Sequence, residues 1–284
     1  MAGIFPPIPT PFDASGELDW KGLASNLKKW NDYPLAGYVV LGTNGEFPYL
    51  REAEKLTFLE AARKHIPAGK LFMAGAGCES THSTIALVKK VATLGADVAL
   101  LITPSYYKSK MDASALLHYY QSVAEASPIP ISIYNMPANT MVDMSADLII
   151  KLSQHPNIIG VKDSSGNLSK MGEILRRARS GFQVLAGSAG FLYPALCLGA
   201  IGGVLALSNI APQQCCDILN LFHQRRLEVR STDKGKRAVI YVLPWRSWRL
   251  GERYDVSHHA GETSERASFR SSHALRLSLG VRSR

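Results

Sequence analysis

Four cysteines in 284 residues, dispersed along the chain, do not make a disulfide scaffold. Cys78, Cys197, Cys215 and Cys216 lack C-x-x-C spacing and accompany no histidine cluster, which argues against structural zinc and suggests a reducing compartment. Of the eight histidines only His258 and His259 are adjacent, so a metal enzyme is disfavoured. No apolar run approaches the roughly 18–20 residues of a membrane span. No signal peptide precedes the first apolar segment, and the chain reads as soluble. Charged residues are few for a disordered chain, 19% against 46% hydrophobic, and the composition is globular.

A net charge of +9 raises nucleic acid or an anionic surface as partners. Its location argues otherwise. Residues 1–224 hold 18 Lys+Arg against 17 Asp+Glu, and residues 225–284 hold 14 against 6. The last 60 residues contain 12 of the 17 arginines together with nine serines and show neither helical nor strand periodicity. They read as a disordered basic segment. One reading is a polybasic appendage; the other, favoured by the abrupt shift at about His223–Arg226, is an altered reading frame or splice that replaces the C-terminus. Trp245 and Trp248 are its only tryptophans beside basic residues, too little for a base-stacking platform.

Before that break, the chain alternates. Short apolar runs at Gly3–Pro9, Gly37–Leu41, Leu71–Ala74, Val98–Thr103, Ile129–Tyr134, Ile158–Val161, Phe182–Ala186 and Gly203–Leu207 read as parallel strands buried on both faces. Helical-period segments lie between and after them, at Leu18–Trp30, Arg51–His65, Thr81–Leu94, Ala113–Glu125, Ser145–Ser153, Ser169–Arg179, Leu192–Leu198 and Gln213–His223. Asp112 or Ser114 and Ser145 are expected caps, and Gly95, Gly181 and Gly199 expected stops. Eight such units in about 220 residues predict a (β/α)8 TIM barrel over 1–224 and favour closure over an open doubly wound sheet. In a barrel the chemistry lies at the C-terminal strand ends.

Those ends carry the informative residues. Lys162 follows the sixth strand directly, where a buried ammonium is costly unless paired or neutralised. It is either an amine that condenses with a carbonyl carbon or a lysine that reaches water. Tyr134 closes the fifth strand, one neighbour away, and is either a proton shuttle or an amphipathic lid on the core. After the second strand, Gly42-Thr43-Asn44-Gly45-Glu46 permits a tight turn suited to a carboxylate; it lacks the spacing of nucleotide-phosphate loops. Tyr106 and Tyr107 follow the fourth strand, and small residues around Gly187 leave space after the seventh.

The ordered set GTNGE, TPSYY, YNMPANT, GVKDSSGN and LAGSAG, over about residues 3–220, resembles the dihydrodipicolinate synthase / N-acetylneuraminate lyase (DapA) superfamily of class I aldolases. The resemblance implies a TIM-barrel lyase acting on a 2-oxo acid, usually tetrameric, with no metal, no organic cofactor, and neither nucleic acid nor membrane as partner. Lys162 would form the imine and Tyr134 would move the proton. Thr43 and Asn44 would hold the pyruvyl carboxylate. Tyr107, often supplied by a neighbouring subunit, would complete a relay with Thr43 and Tyr134, and Ser164 and Gly187 would line the pocket. Members that build dihydrodipicolinate typically carry Arg where this chain has Asn139. PANT, GTNGEF and AGSAGF are instead similar to the mitochondrial branch that cleaves 4-hydroxy-2-oxoglutarate to pyruvate and glyoxylate in hydroxyproline breakdown. A 2-keto-3-deoxy sugar-acid aldolase and dihydrodipicolinate synthase itself are the alternatives; a barrel that assembles poorly and a tail-mediated polyanion binder are the non-catalytic ones. The chain begins two residues before its first strand, so the presequence of mitochondrial relatives is not seen, and the basic segment stands where relatives carry C-terminal helices.

Overall fold

A computed structural model describes residues 1–224, so the basic segment 225–284 lies outside the described residues. Eight parallel strands alternate with helices: β1 Gly3–Phe5, α1 Trp20–Asn31, β2 Gly37–Val40, α2 Glu52–His65, β3 Leu71–Gly75, α3 Thr81–Thr93, β4 Val98–Ile102 and α4 Ala113–Ala126. There follow β5 Ile131–Asn135, the single turn α5 Pro137–Thr140, α6 Ala146–Leu152, β6 Ile158–Asp163, α7 Leu168–Arg177, β7 Gln183–Ala186, α8 Leu192–Leu198, β8 Gly202–Val204 and α9 Pro212–His223. The strands pair in the order β1-β8-β7-β6-β5-β4-β3-β2.

The seam between β1 and β2 closes through the segment after β1. Ala36 donates its amide to the Ile4 carbonyl at 3.0 Å and Val39 to Pro6 at 3.0 Å, while the Ile8 amide returns to Val39 at 2.9 Å. Pro6 and Pro7 have no N–H, so this edge keeps only an isolated bridge, Pro7 to Val39, in place of a regular ladder. The result is the (β/α)8 barrel that the eightfold alternation predicts.

Two apolar layers hold it. Phe5, Val39, Met73, Leu100, Tyr134, Leu185 and Val204 fill the barrel interior. A larger layer, including Tyr38, Phe58, Phe72, Tyr120, Ile133, Val161 and Leu192, packs the outer strand face against the helices. Strand residues are buried on both faces because each face meets one of these layers. Asp112 and Ser145 do cap α4 and α6, accepting from the Ala115 and Leu148 amides, and Gly199 ends α8 at φ +112°. Gly181 instead turns the chain three residues after the last residue of α7's cap region, at φ +81°.

The largest departures from the sequence-based expectation lie at strand ends. The expected eighth strand through Leu207 stops at Val204 and enters a 3-10 turn at Ala206–Asn209. Strands β5 and β6 run one and two residues further than expected, which takes Lys162 and Asp163 into the sheet itself. The YNMPANT segment forms α5, a helical turn led by Pro137 at its first position, where a missing amide costs nothing.

Candidate active site

In the β5/β6 ladder, Tyr134 and Lys162 are register partners, and the next residues, Asn135 and Asp163, are partners in turn. Side chains alternate across a strand, so the first pair faces the barrel interior and the second faces the surrounding helices. Lys162 is 3% exposed, and its Nζ lies 3.8 Å from the centroid of the Tyr134 ring. The ring's negative face offers that ammonium electrostatic compensation, of about 2 kcal/mol when desolvated. The Tyr134 hydroxyl is 3.0 Å from Thr43 Oγ1, either oxygen being able to donate.

Thr43 reaches that position because its turn is held from several sides. Leu41 and Glu46 flank it with left-handed backbones, φ +60° and +52°, a conformation that costs a non-glycine residue roughly 1–3 kcal/mol. Thr10 Oγ1 donates to the Gly45 carbonyl at 2.6 Å. The Gly45 and Glu46 amides close on the Gly42 and Thr43 carbonyls, so the turn's own hydrogen bonds do not use the amides of Thr43 and Asn44. Gly75 lets β3 pass close by: a Cβ there would lie 2.0 Å from the Leu41 carbonyl oxygen. Beside the turn, Lys55 sits 3.8 Å over the Phe47 ring, and burial holds its ammonium below the ordinary lysine range.

Gly187 and Ser164 meet on the other side of Lys162. The Gly187 amide donates to the Asp163 carbonyl at 2.8 Å, and the Ser164 amide to the Asn135 carbonyl at 2.9 Å. A Cβ on Gly187 would come within 2.0 Å of Ser164 Oγ, so the absence of a side chain is what admits the serine. Tyr107 is placed differently. Its ring is 69% exposed and packs edge-on against Tyr106 at 4.9 Å, and among the described residues no hydrogen bond joins it to Thr43 or Tyr134. Glu79 Oε2 holds its loop by accepting from the Ser105 and Tyr106 amides, each at 2.9 Å. Asn139 is exposed on α5.

The profile of the dihydrodipicolinate synthetase family matches residues 1–234. The chain belongs to that family. Among relatives, the "Probable 4-hydroxy-2-oxoglutarate aldolase, mitochondrial" of Emericella nidulans is 36% identical over 233 residues, 80% of this chain and 75% of that protein. The 4-hydroxy-tetrahydrodipicolinate synthase of Methanothrix thermoacetophila is also 36% identical, over 223 residues, 78% and 74% of the two chains. The crystal structure of dihydrodipicolinate synthase DapA-2 from Bacillus anthracis superposes with a TM-score of 0.76 at 29% identity, covering 79% of this chain and 76% of that one. YagE, a prophage protein of the same family from E. coli K12 solved in complex with pyruvate, gives 0.75 at 30%, with the same coverage. Membership in this family makes the chain a lyase-type barrel. Among the described residues no helix is long and apolar enough to cross a membrane, and no three His, Cys, Asp or Glu side chains gather as a metal site would require.

The outward pair, Asn135 and Asp163, escapes a reading of motifs for catalytic residue types. The signal was present, since both are polar residues at the end of otherwise apolar strands, immediately after Tyr134 and Lys162.

Proposed function

We propose that this chain is a class I aldolase that forms an imine at Lys162 and cleaves 4-hydroxy-2-oxoglutarate to pyruvate and glyoxylate. The observation that carries the reading is the buried Lys162 amine 3.8 Å from the Tyr134 ring, with the Tyr134 hydroxyl bonded to Thr43. A desolvated lysine amine is a nucleophile for a carbonyl carbon, and a phenol in a hydrogen-bonded pair can move protons.

In this scheme the substrate carboxylate rests at the Thr43 and Asn44 turn, and Ser164 and Gly187 bound the pocket. Lys162 Nζ adds to the 2-oxo carbon, and water leaves to give a protonated imine. Tyr134, having given its phenol proton to the hydroxyl that left as water, accepts the proton of the C4 hydroxyl; the C3–C4 bond breaks, and its electron pair moves into the imine to give an enamine. Glyoxylate departs. The enamine takes a proton at C3, and water releases pyruvate and restores the amine. Holding the reacting groups in place supplies much of the acceleration, and each proton transfer contributes about 10²–10⁴-fold. Tyr107 completes the relay from a neighbouring subunit of a tetramer; its exposed ring beside the exposed Tyr106 supports that role.

The choice of substrate rests on Asn139 in place of arginine and on the name of the Emericella relative, which also supports a mitochondrial location. The Methanothrix synthase, equally similar, supports a second reading, synthesis of 4-hydroxy-tetrahydrodipicolinate. Borohydride added with pyruvate should leave one reduced pyruvyl group on Lys162, read by peptide mass spectrometry; a folded sample with no adduct overturns the imine. The ratio of kcat/KM for 4-hydroxy-2-oxoglutarate cleavage to that for 4-hydroxy-tetrahydrodipicolinate synthesis decides between the two reactions.

A further inference from the structure

Behind the Lys162–Tyr134 pair lies a buried polar cluster that the chemistry above does not use. Asp163 and Asn135 are fully buried, and Lys170 of α7 is 8% exposed. Asn135 Nδ2 donates to Asp143 Oδ1 at 2.8 Å and to Asp163 Oδ1 at 3.2 Å, while Asn135 Oδ1 accepts from the Met144 amide at 3.0 Å. Asp163 Oδ1 also accepts from the Ser165 amide at 2.7 Å. The Lys170 ammonium lies 2.5 Å from Asp143 Oδ1 and 3.6 Å from Asp163 Oδ2, and donates to the Met144 carbonyl at 3.3 Å.

A carboxylate with no exposure is costly unless charge and hydrogen bonds compensate it. Here each compensating group comes from a different piece of chain: Asn135 from β5, the Ser165 amide from the turn after β6, and Lys170 from α7, while Asp143 and Met144 hold Asn135 and Lys170 in turn. Asp163 is covalently next to Lys162, Asn135 is next to Tyr134, and the two pairs are consecutive rungs of one ladder. A slip of one rung would reverse which side chains face inward. It would also break the Asn135 Nδ2 to Asp163 Oδ1 bond, which joins β5 to β6 between two fully buried side chains. The cluster therefore opposes any sliding or twisting of β6 against β5, the motion that would change the 3.8 Å Lys162–Tyr134 contact.

We propose that Asp163, held by Asn135, the Ser165 amide and Lys170, is a positioning residue that fixes the Lys162 amine against Tyr134 from outside the barrel. The inference rests on the reading of Lys162 as the imine-forming lysine. It acts on the orientation of the nucleophile, so its loss falls on the rate of bond formation and leaves the carboxylate turn, and with it substrate binding, largely intact.

The test uses the full chain, unsubstituted and as Asp163→Ala, Asp163→Asn and Asn135→Ala, with the rate of borohydride-trapped adduct measured against pyruvate concentration. Expected is a fall of about tenfold or more in the saturating trapping rate of Asp163→Ala, with half-saturation within about threefold of the unsubstituted chain. Asp163→Asn keeps an oxygen for Asn135 and Ser165 and should restore most of the rate. A role in stability alone would lower the melting temperature and leave the rate per folded molecule unchanged. If Asp163→Ala does not fold, Asn135→Ala carries the same expectation. Adduct in the unsubstituted chain, with unchanged rates in the folded variants, overturns this inference alone. No adduct in the unsubstituted chain overturns the imine reading and this inference with it.

Discussion

Lys162 Nζ sits 3.8 Å from the centre of the Tyr134 ring, and the two residues are opposite one another in the β5/β6 ladder. The ring shields the amine from water on one side, and the phenol oxygen extends past it to Thr43 at 3.0 Å. The amine and the ring are thus set by the backbone pairing of β5 with β6, and Thr43 by the turn after β2.

Tyr134→Phe retains the ring over Lys162 and removes the hydroxyl. The expected result is a fall of about 10²–10⁴-fold in kcat for aldol cleavage. Thr43→Val removes the partner and leaves the phenol in place, and about a tenfold fall is expected, the worth of one hydrogen bond of ordinary strength. Steady-state kinetics on both variants checks the order, and a larger loss in Thr43→Val would displace Tyr134 as the proton carrier.

Gly187→Ala should strain the contact between the segments that follow β6 and β7. Its Cβ would meet Ser164 Oγ at 2.0 Å and the Asp163 carbonyl oxygen at 2.8 Å, so the serine must rotate and the backbone must also shift. Overpacking of this kind costs about 1–3 kcal/mol. Urea denaturation gives the value, and a variant as stable as the parent would show that the two loops are free to separate.

Alkaline pH should destabilise the barrel. Burial pushes the Cys215 thiol up to about 12 and the Cys216 thiol up to about 11, and it also raises the Tyr38, Tyr119 and Tyr120 phenols above their ordinary value. Unfolded thiols release their protons near 9.0 and unfolded phenols near 10.0. Between those values and the folded ones, the unfolded chain binds fewer protons, so the stability these groups contribute is complete below pH 9 and is lost as pH rises toward 12. Denaturation midpoints at pH 8, 9.5 and 11 should fall in that order; a flat series would mean that the five groups are solvated in the native state.

Much of the architecture was legible from apolar spacing. Runs such as Val98–Ile102 and Ile158–Val161 have no alternation and are short, and only a sheet covered on both faces buries them. The boundaries were less legible where polar residues end a strand. Nothing in the local sequence of Lys162-Asp163 separates a buried strand end from a solvated loop, because the partners that make burial tolerable, Asn135 and Lys170, come from other elements. Tyr107 is legible as a rim aromatic and no more, since its contact within one chain is with its neighbour Tyr106.

The sequence by itself determined the eightfold alternation, the family and the identity of the strand-end residues, because hydrophobic period and motif order are properties of the linear chain. Only the tertiary structure decided that Lys162 and Tyr134 share a rung, that Thr43 closes on the phenol, and that a buried cluster braces the rung from behind. Those facts depend on register between strands 28 residues apart in sequence at Asn135 and Asp163, and register is settled by which buried groups find partners across the whole sheet.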